Sequence, residues 1–279
     1  TIRVLDLQAD PPKVIQEIQC GRQPSGMSIS RDGRFALVAN RAEGTVSLFT
    51  IEGKTVALKQ TVEVCKPEDN VADVAITPDG RTALASVCDG GYFAVLRIER
   101  GKLSVDKRKL STCGKPYRVA FTPDGALAVT VGSGQGLPDI DAVTVVDLTQ
   151  DPPRTTDFVP IGAGPESLEI SPDGKLLAAV LIGGSNLPKG APFHEDGGKL
   201  VILARRGNTF EVVQMLATGP IPEGVAFSPD GKHIVVGCHP TRKLWVYDVD
   251  GETVRDSRVR IDVPGMPSSL RTADRPVAK

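Results

Sequence analysis

Two stretches of the chain carry groups that bind cations or exchange protons. Asp139 and Asp141 lie on one, and His194, Glu195 and Asp196 lie on the other. Carboxylates offer hard oxygen ligands, and imidazole adds a nitrogen donor that titrates near neutral pH. Facing each other across one groove, these groups would hold a divalent cation or activate a water. Arg118 would then stand ready for a developing oxyanion. A second set consists of Asp73, Tyr117, Arg118, Glu166 and Glu223, with Ser268 and Ser269 at matching places. A ring that mixes arginine with carboxylates suits a polar ligand. His239 and Arg242 in a short loop would extend it.

The chain has five cysteines, an odd number, so at least one is unpaired within it. A disulfide such as Cys65–Cys113 or Cys65–Cys88, a soft metal site with His239, and simple burial as small hydrophobes all stay open. No Ser-His-Asp order or metalloprotease motif is present. Gly132-Ser133-Gly134-Gln135-Gly136 follows a strand pattern, but no helix follows it to bind phosphate.

The elements that must position these residues come from a repeat. Ser30-Arg31-Asp32-Gly33 recurs as Thr77-Pro78-Asp79-Gly80, Thr122-Pro123-Asp124-Gly125, Ser171-Pro172-Asp173-Gly174 and Ser228-Pro229-Asp230-Gly231, at glycine intervals of 47, 45, 49 and 57 residues. Proline presets the second position of a tight turn, and glycine takes the left-handed position that follows. Apolar runs flank each turn, so each is a buried hairpin. Third strands follow at Thr45–Phe49, Phe93–Leu96, Val143–Val146, Leu200–Leu203 and Leu244–Tyr247. Turns such as Glu52-Gly53, Arg100-Gly101 and Asp250-Gly251 lead into fourths. Four antiparallel strands per unit predict the blades of an all-β propeller, read as one domain over residues 1–279.

The ends predict closure. Val4-Leu5-Asp6-Leu7 through Asp10-Pro11-Pro12 echoes Val146-Asp147-Leu148 through Asp151-Pro152-Pro153. The N-terminus therefore reads as a third and fourth strand, and Pro267–Thr272 as a first strand. Sharing one blade, they would give six blades, or seven if the chain is incomplete. The sequence starts Thr1-Ile2-Arg3, inside strand-like residues, which predicts a processed or trimmed product.

Two loops between second and third strands are longer than the rest. They exceed the other three by about 5 and 13 residues and sit on neighbouring blades. They hold the Asp139/Asp141 and His194–Asp196 groups. Gly183-Gly184 and Gly197-Gly198 flank the longer one, as in a lid. His233 takes the place of Phe35 in the first repeat and is expected to pack within its strand.

Composition narrows the partners. Lys+Arg number 33 and Asp+Glu 34, a net charge of -1, so nothing favours nucleic acid. No apolar run approaches the roughly 18 residues of a membrane helix, so membrane insertion is not expected. A monomer is expected. Aromatics are only 4% of residues, which implies an aliphatic core.

Pro24-Ser25-Gly26, Phe35-Ala36-Leu37-Val38-Ala39-Asn40 and Gly44-Thr45-Val46 resemble the YVTN-type repeat of bacterial lactonase-like propellers. The resemblance implies the propeller fold and a bacterial, often exported, protein. It also implies a binding protein, a subunit of a redox complex or a lactone hydrolase. The lactonase branch has Arg-His after the repeat's proline and Glu after its asparagine. Here Ser25-Gly26 follow Pro24, Tyr117-Arg118 follow Pro116, and Arg41 follows Asn40.

The expectation is therefore a non-enzymatic, periplasmic or secreted propeller that binds a small polar ligand or a protein on its loop face. The alternative is a lactonase-like hydrolase of a lactone or ester, using a loop carboxylate or cation-bound water. A further alternative is a docking subunit of a larger redox or export complex. A divalent cation is the only cofactor the residues suggest.

Overall fold

The structure is a computed structural model that describes residues 1–134 and 138–272. It divides into two compact units, Thr1–Leu110 and Ser111–Ala273.

The first unit begins with a two-stranded hairpin, β1 (Ile2–Asp6) and β2 (Lys13–Ile18). A four-stranded sheet follows: β3 (Pro24–Ile29), β4 (Phe35–Asn40), β5 (Thr45–Glu52) and β6 (Thr55–Glu63). The next contains β7 (Val71–Ile76), β8 (Thr82–Val87), β9 (Tyr92–Glu99) and β10 (Lys102–Ser111).

The second unit holds three more sheets of four. They are β11 (Lys115–Phe121), β12 (Leu127–Ser133), β13 (Asp141–Asp147) and β14 (Arg154–Gly162); β15 (Pro165–Ile170), β16 (Leu176–Leu181), β17 (Lys199–Arg206) and β18 (Thr209–Ala217); and β19 (Pro222–Phe227), β20 (His233–Cys238), β21 (Lys243–Asp250) and β22 (Thr253–Asp262). Each sheet is an antiparallel meander in chain order, as propeller blades are. Six blades fit, the sixth represented among the described residues by its outer pair, β1–β2.

Alternation explains the packing of one blade on the next. In β16, Leu177, Ala179 and Leu181 join a core with Val129, Val131 and Val143 of the preceding sheet. Leu176, Ala178 and Val180 face the other way, against Val225, Ile234 and Val236 of the following sheet. A strand buried on both faces must be apolar throughout, as Leu176–Leu181 is. The first unit repeats this, with Leu37, Val46 and Leu48 packed against Val74, Ala83 and Ala85.

The repeated turn is held by its aspartate. The Ser30 hydroxyl donates to Asp32 at 2.6 Å, and the Arg34 amide donates to the same oxygen at 3.0 Å. Thr77/Asp79, Ser171/Asp173 and Ser228/Asp230 repeat the hydroxyl contact at 2.6, 2.7 and 2.6 Å. The hydroxyl also accepts the amide five residues on, as from Phe35 to Ser30 at 3.0 Å. This network needs a hydroxyl at the first turn position and a carboxylate at the third.

The first strand of each four-stranded sheet opens with a bulge. Register shifts fall between Pro24 and Met27, Val71 and Asp73, Pro116 and Val119, Pro165 and Ser167, and Pro222 and Gly224. A bulge inserts a residue and re-aims the side chains beside it. His233, expected to pack, is exposed at the start of β20, its Nδ1 3.2 Å from Asp248 Oδ1. The neighbouring strand offers a carboxylate there rather than an apolar wall.

Candidate functional site

Within each unit, residues near the start of a first strand meet the first strand of the next blade. In the first unit, β3 places Gly26 against Asp73 of β7, so closely that a Cβ on Gly26 would collide with the carboxylate. Asp73 is 5% exposed, and its amide donates to Ser86 Oγ at 2.9 Å. In the second unit, Arg118 of β11 reaches β15. Its guanidinium contacts the Ser167 hydroxyl at 3.4 Å and pairs with the Glu169 carboxylate. It also donates to the carbonyl of Leu270 at 2.5 Å and contacts that of Val225 at 3.4 Å. Thr272 Oγ1 donates to the other Glu169 oxygen at 2.9 Å. The side chains of Arg118 and Glu169 are 10% and 11% exposed. So buried a pair holds only with its remaining donors and acceptors matched.

Arg118 thus meets Ser167 and Glu169, side chains that follow the bulge between Pro165 and Ser167. Tyr117 and Glu166 are half-buried. Glu223 and His239 do come together, with Nδ1 and Oε2 3.4 Å apart. His239 Nδ1 also lies 3.4 Å from the carbonyl of Pro267. Arg242 is exposed in a left-handed turn conformation. Pro267–Thr272, expected as a first strand, joins no ladder; it lies along β19, with Leu270 against Gly224. Gly224 matches Gly26 in place, so this segment stands where a following blade's first strand would.

Among the described residues no three His, Cys, Asp or Glu side chains gather as a cation would require. Asp141 is buried and accepts hydrogen bonds from the amides of Gly134 and, at 2.9 Å, Gly164. Burial pushes its carboxyl above the ordinary carboxylate range, although both amides pull the other way. Asp139 is exposed. His194 turns inward: its Nδ1 binds the Leu187 carbonyl at 2.9 Å, and its Nε2 is 3.4 Å from Asp196. Glu195 stands 3.7 Å from Lys199. These contacts hold the loops in shape. Residues 135–137 of the Gly132–Gly136 stretch lie outside the described residues.

The loops also present two large apolar side chains to solvent. Ile140 is 74% exposed and Phe193 62% exposed. Phe193 has φ of 64°, unusual for a bulky residue. Its carbonyl sits where a side chain on Gly184 would be. The Ser185 hydroxyl ties the loop to β19's approach by accepting the Ile221 amide at 2.9 Å.

All five cysteines are free thiols. Burial pushes Cys65 up to about 12 and Cys238 up to about 11, and raises Cys113 as well. Such thiols are poor nucleophiles and metal ligands. At the turn end of the second unit, a surface cavity of about 340 Å³ is lined by Asp173, Lys175, Asp230, Lys232, Asp250 and Glu252. Its acids are engaged by the turns themselves, as Asp230 is by Ser228 and Lys232. No helix among the described residues is long and apolar enough to cross a membrane.

No family model matches the chain, and no curated protein matches it. Solved structures do. Hydrazine synthase from Kuenenia stuttgartiensis is 21% identical, with a TM-score of 0.76 over 94% of this chain and 80% of that one. The periplasmic gluconolactonase of Pseudomonas aeruginosa is 23% identical, with a TM-score of 0.72 over 93% and 76%. A putative 6-phosphogluconolactonase from Bacteroides uniformis is 18% identical, with a TM-score of 0.69 over 86% and 71%. Identity at this level speaks to architecture alone. It establishes the β-propeller fold, of the kind that lactonase-like proteins share.

Proposed function

We propose that this chain is a non-enzymatic binding propeller whose inserted loops dock a protein partner. The observation that carries the reading is the pairing of pinned loops with exposed apolar side chains. Asp141, Ser185 and His194 spend their polar groups on the loop backbone. Ile140 and Phe193 then stand out from a fixed platform. A strained, exposed phenylalanine costs stability that binding can offset. Asp139 precedes Ile140, and Glu195 and Asp196 follow Phe193 closely in sequence, so each loop carries negative charge beside its apolar residue. The fitting partner has an apolar patch with a basic rim.

A second reading is lactone hydrolysis, favoured by the likeness to proteins named as gluconolactonases. The YVTN-type repeat and a periplasmic location belong to the same family reading; one of those neighbours is named periplasmic. Against hydrolysis stands the use of Asp141 and Arg118 as structural hubs. A small polar ligand at Tyr117, Glu166, Glu223, His239 and Arg242 stays within the binding reading. So does docking into a larger complex. The test compares tagged wild type with an Ile140→Asp/Phe193→Asp double variant of unchanged melting temperature. The reading expects a stoichiometric, identified partner that the variant loses. The same partner retained by both would overturn it.

A further inference from the structure

We propose that Arg118, Glu169 and His239 form a clamp for an extended peptide, and that Pro267–Thr272 occupies it as an exchangeable strap. The segment supplies hydrogen-bond partners to the buried pair. Leu270 offers a carbonyl to the guanidinium at 2.5 Å, and Thr272 a hydroxyl to the carboxylate at 2.9 Å. Pro267 adds its carbonyl near His239 Nδ1, at 3.4 Å.

The seat is shaped for backbone. A Cβ on Gly224 would lie 2.6 Å from the Leu270 nitrogen, and one on Gly237 would lie 3.1 Å from Pro267 Cβ. Two glycines on adjacent strands therefore open a groove that a main chain can enter. Arg118 also touches Ser167 and Val225, so three first strands and their connections converge on the strap.

The strap itself is lightly held. Ser268, Ser269 and Arg271 are exposed, and the segment joins no ladder. The first strands β15 and β19 are, by contrast, mostly buried and fully laddered. A segment outside every ladder, with its serines exposed, opens locally more readily than laddered strands do. Recognition through main-chain carbonyls is how sheet proteins take up extended peptides. The docked loops of the preceding section play no part in this site.

Trypsin cleavage after Arg271, followed by intact mass on the full chain, tests the proposal. Thr272 is half-buried and belongs to none of the apolar core clusters, so Thr272→Val leaves the core untouched. It should be cut at least about fivefold faster than wild type, and Arg118→Met faster still. Excess N-acetyl-Pro-Ser-Ser-Leu-Gln-Thr amide, which trypsin cannot cut, should speed cleavage of wild type by competing for the clamp. Equal rates for wild type and Thr272→Val would overturn the clamp, whatever Arg118→Met does to folding. No acceleration by millimolar peptide would overturn exchange and leave the segment a permanent part of the fold.

Discussion

The carboxylate of Asp141 accepts the amide of Gly164 at 2.9 Å, joining the start of β13 to the connection that enters β15. The same carboxylate takes the Gly134 amide from the inserted loop. One buried side chain thus fixes a loop and a blade junction together. Asp141→Ala would leave both amides without that acceptor, at a cost of about 1–3 kcal/mol each if neither reaches water. Urea unfolding of the variant should show a lower midpoint with an unchanged slope. An unchanged midpoint would mean that the loop relaxes to water.

The turn aspartates predict an acid-side loss of stability. Asp32 is held at about 2 by the Ser30 hydroxyl and the Arg34 amide. Burial raises Asp124, but the Thr122 hydroxyl, the Ala126 amide and Arg205 outweigh it, leaving it at about 2. Asp173 and Asp230 are also lowered. A carboxylate with a depressed folded pKa stabilises fully above its unfolded value of ~4. That contribution is lost as pH falls from ~4 towards 2. Unfolding midpoints measured across this range should fall, and Asp32→Asn should make the decline shallower. A flat profile would contradict the turn network.

Leu200 is fully buried in β17, within the core shared by adjacent blades. Leu200→Ala should destabilise the chain by about 2–5 kcal/mol, as large-to-small core changes do. Calorimetry would read this as a lower melting temperature. Gly26→Ala, which drives a methyl into Asp73, should cost about 1–3 kcal/mol through overpacking.

The cysteines predict chemical silence. Burial holds Cys65, Cys113 and Cys238 as neutral thiols. At pH 8 the native chain should alkylate at these positions far more slowly than the urea-unfolded chain, by mass spectrometry. Rapid native labelling of Cys65 would show the junction after β6 to be open.

The fold was legible because five turns of one type recur with apolar runs beside them. Strand order followed from that spacing alone. The candidate site was legible only in part. Arg118 stood out as a charged residue beside a repeat proline, and the structure makes it a hub. Ser167 and Glu169 were hidden by the bulge after Pro165, which strict alternation cannot anticipate. Glu169 also stands where β7, β11 and β19 carry Ala75, Ala120 and Ala226, and a carboxylate there is the signal that could have found it. The two insertions were visible from spacing, but spacing does not reveal that Asp141 turns to amides and His194 to a carbonyl. Ile140 and Phe193 carried no signal, since single apolar residues in loops are ordinary.

The central claim is that the propeller binds without catalysing. The most direct measurement follows acid release from δ-gluconolactone with purified wild-type chain at micromolar concentration. The account predicts a rate no greater than spontaneous hydrolysis, with or without added divalent cations. A saturable acceleration that Asp141→Asn or Glu169→Gln abolishes, in variants that stay folded, would contradict it and make the lactonase reading the right one.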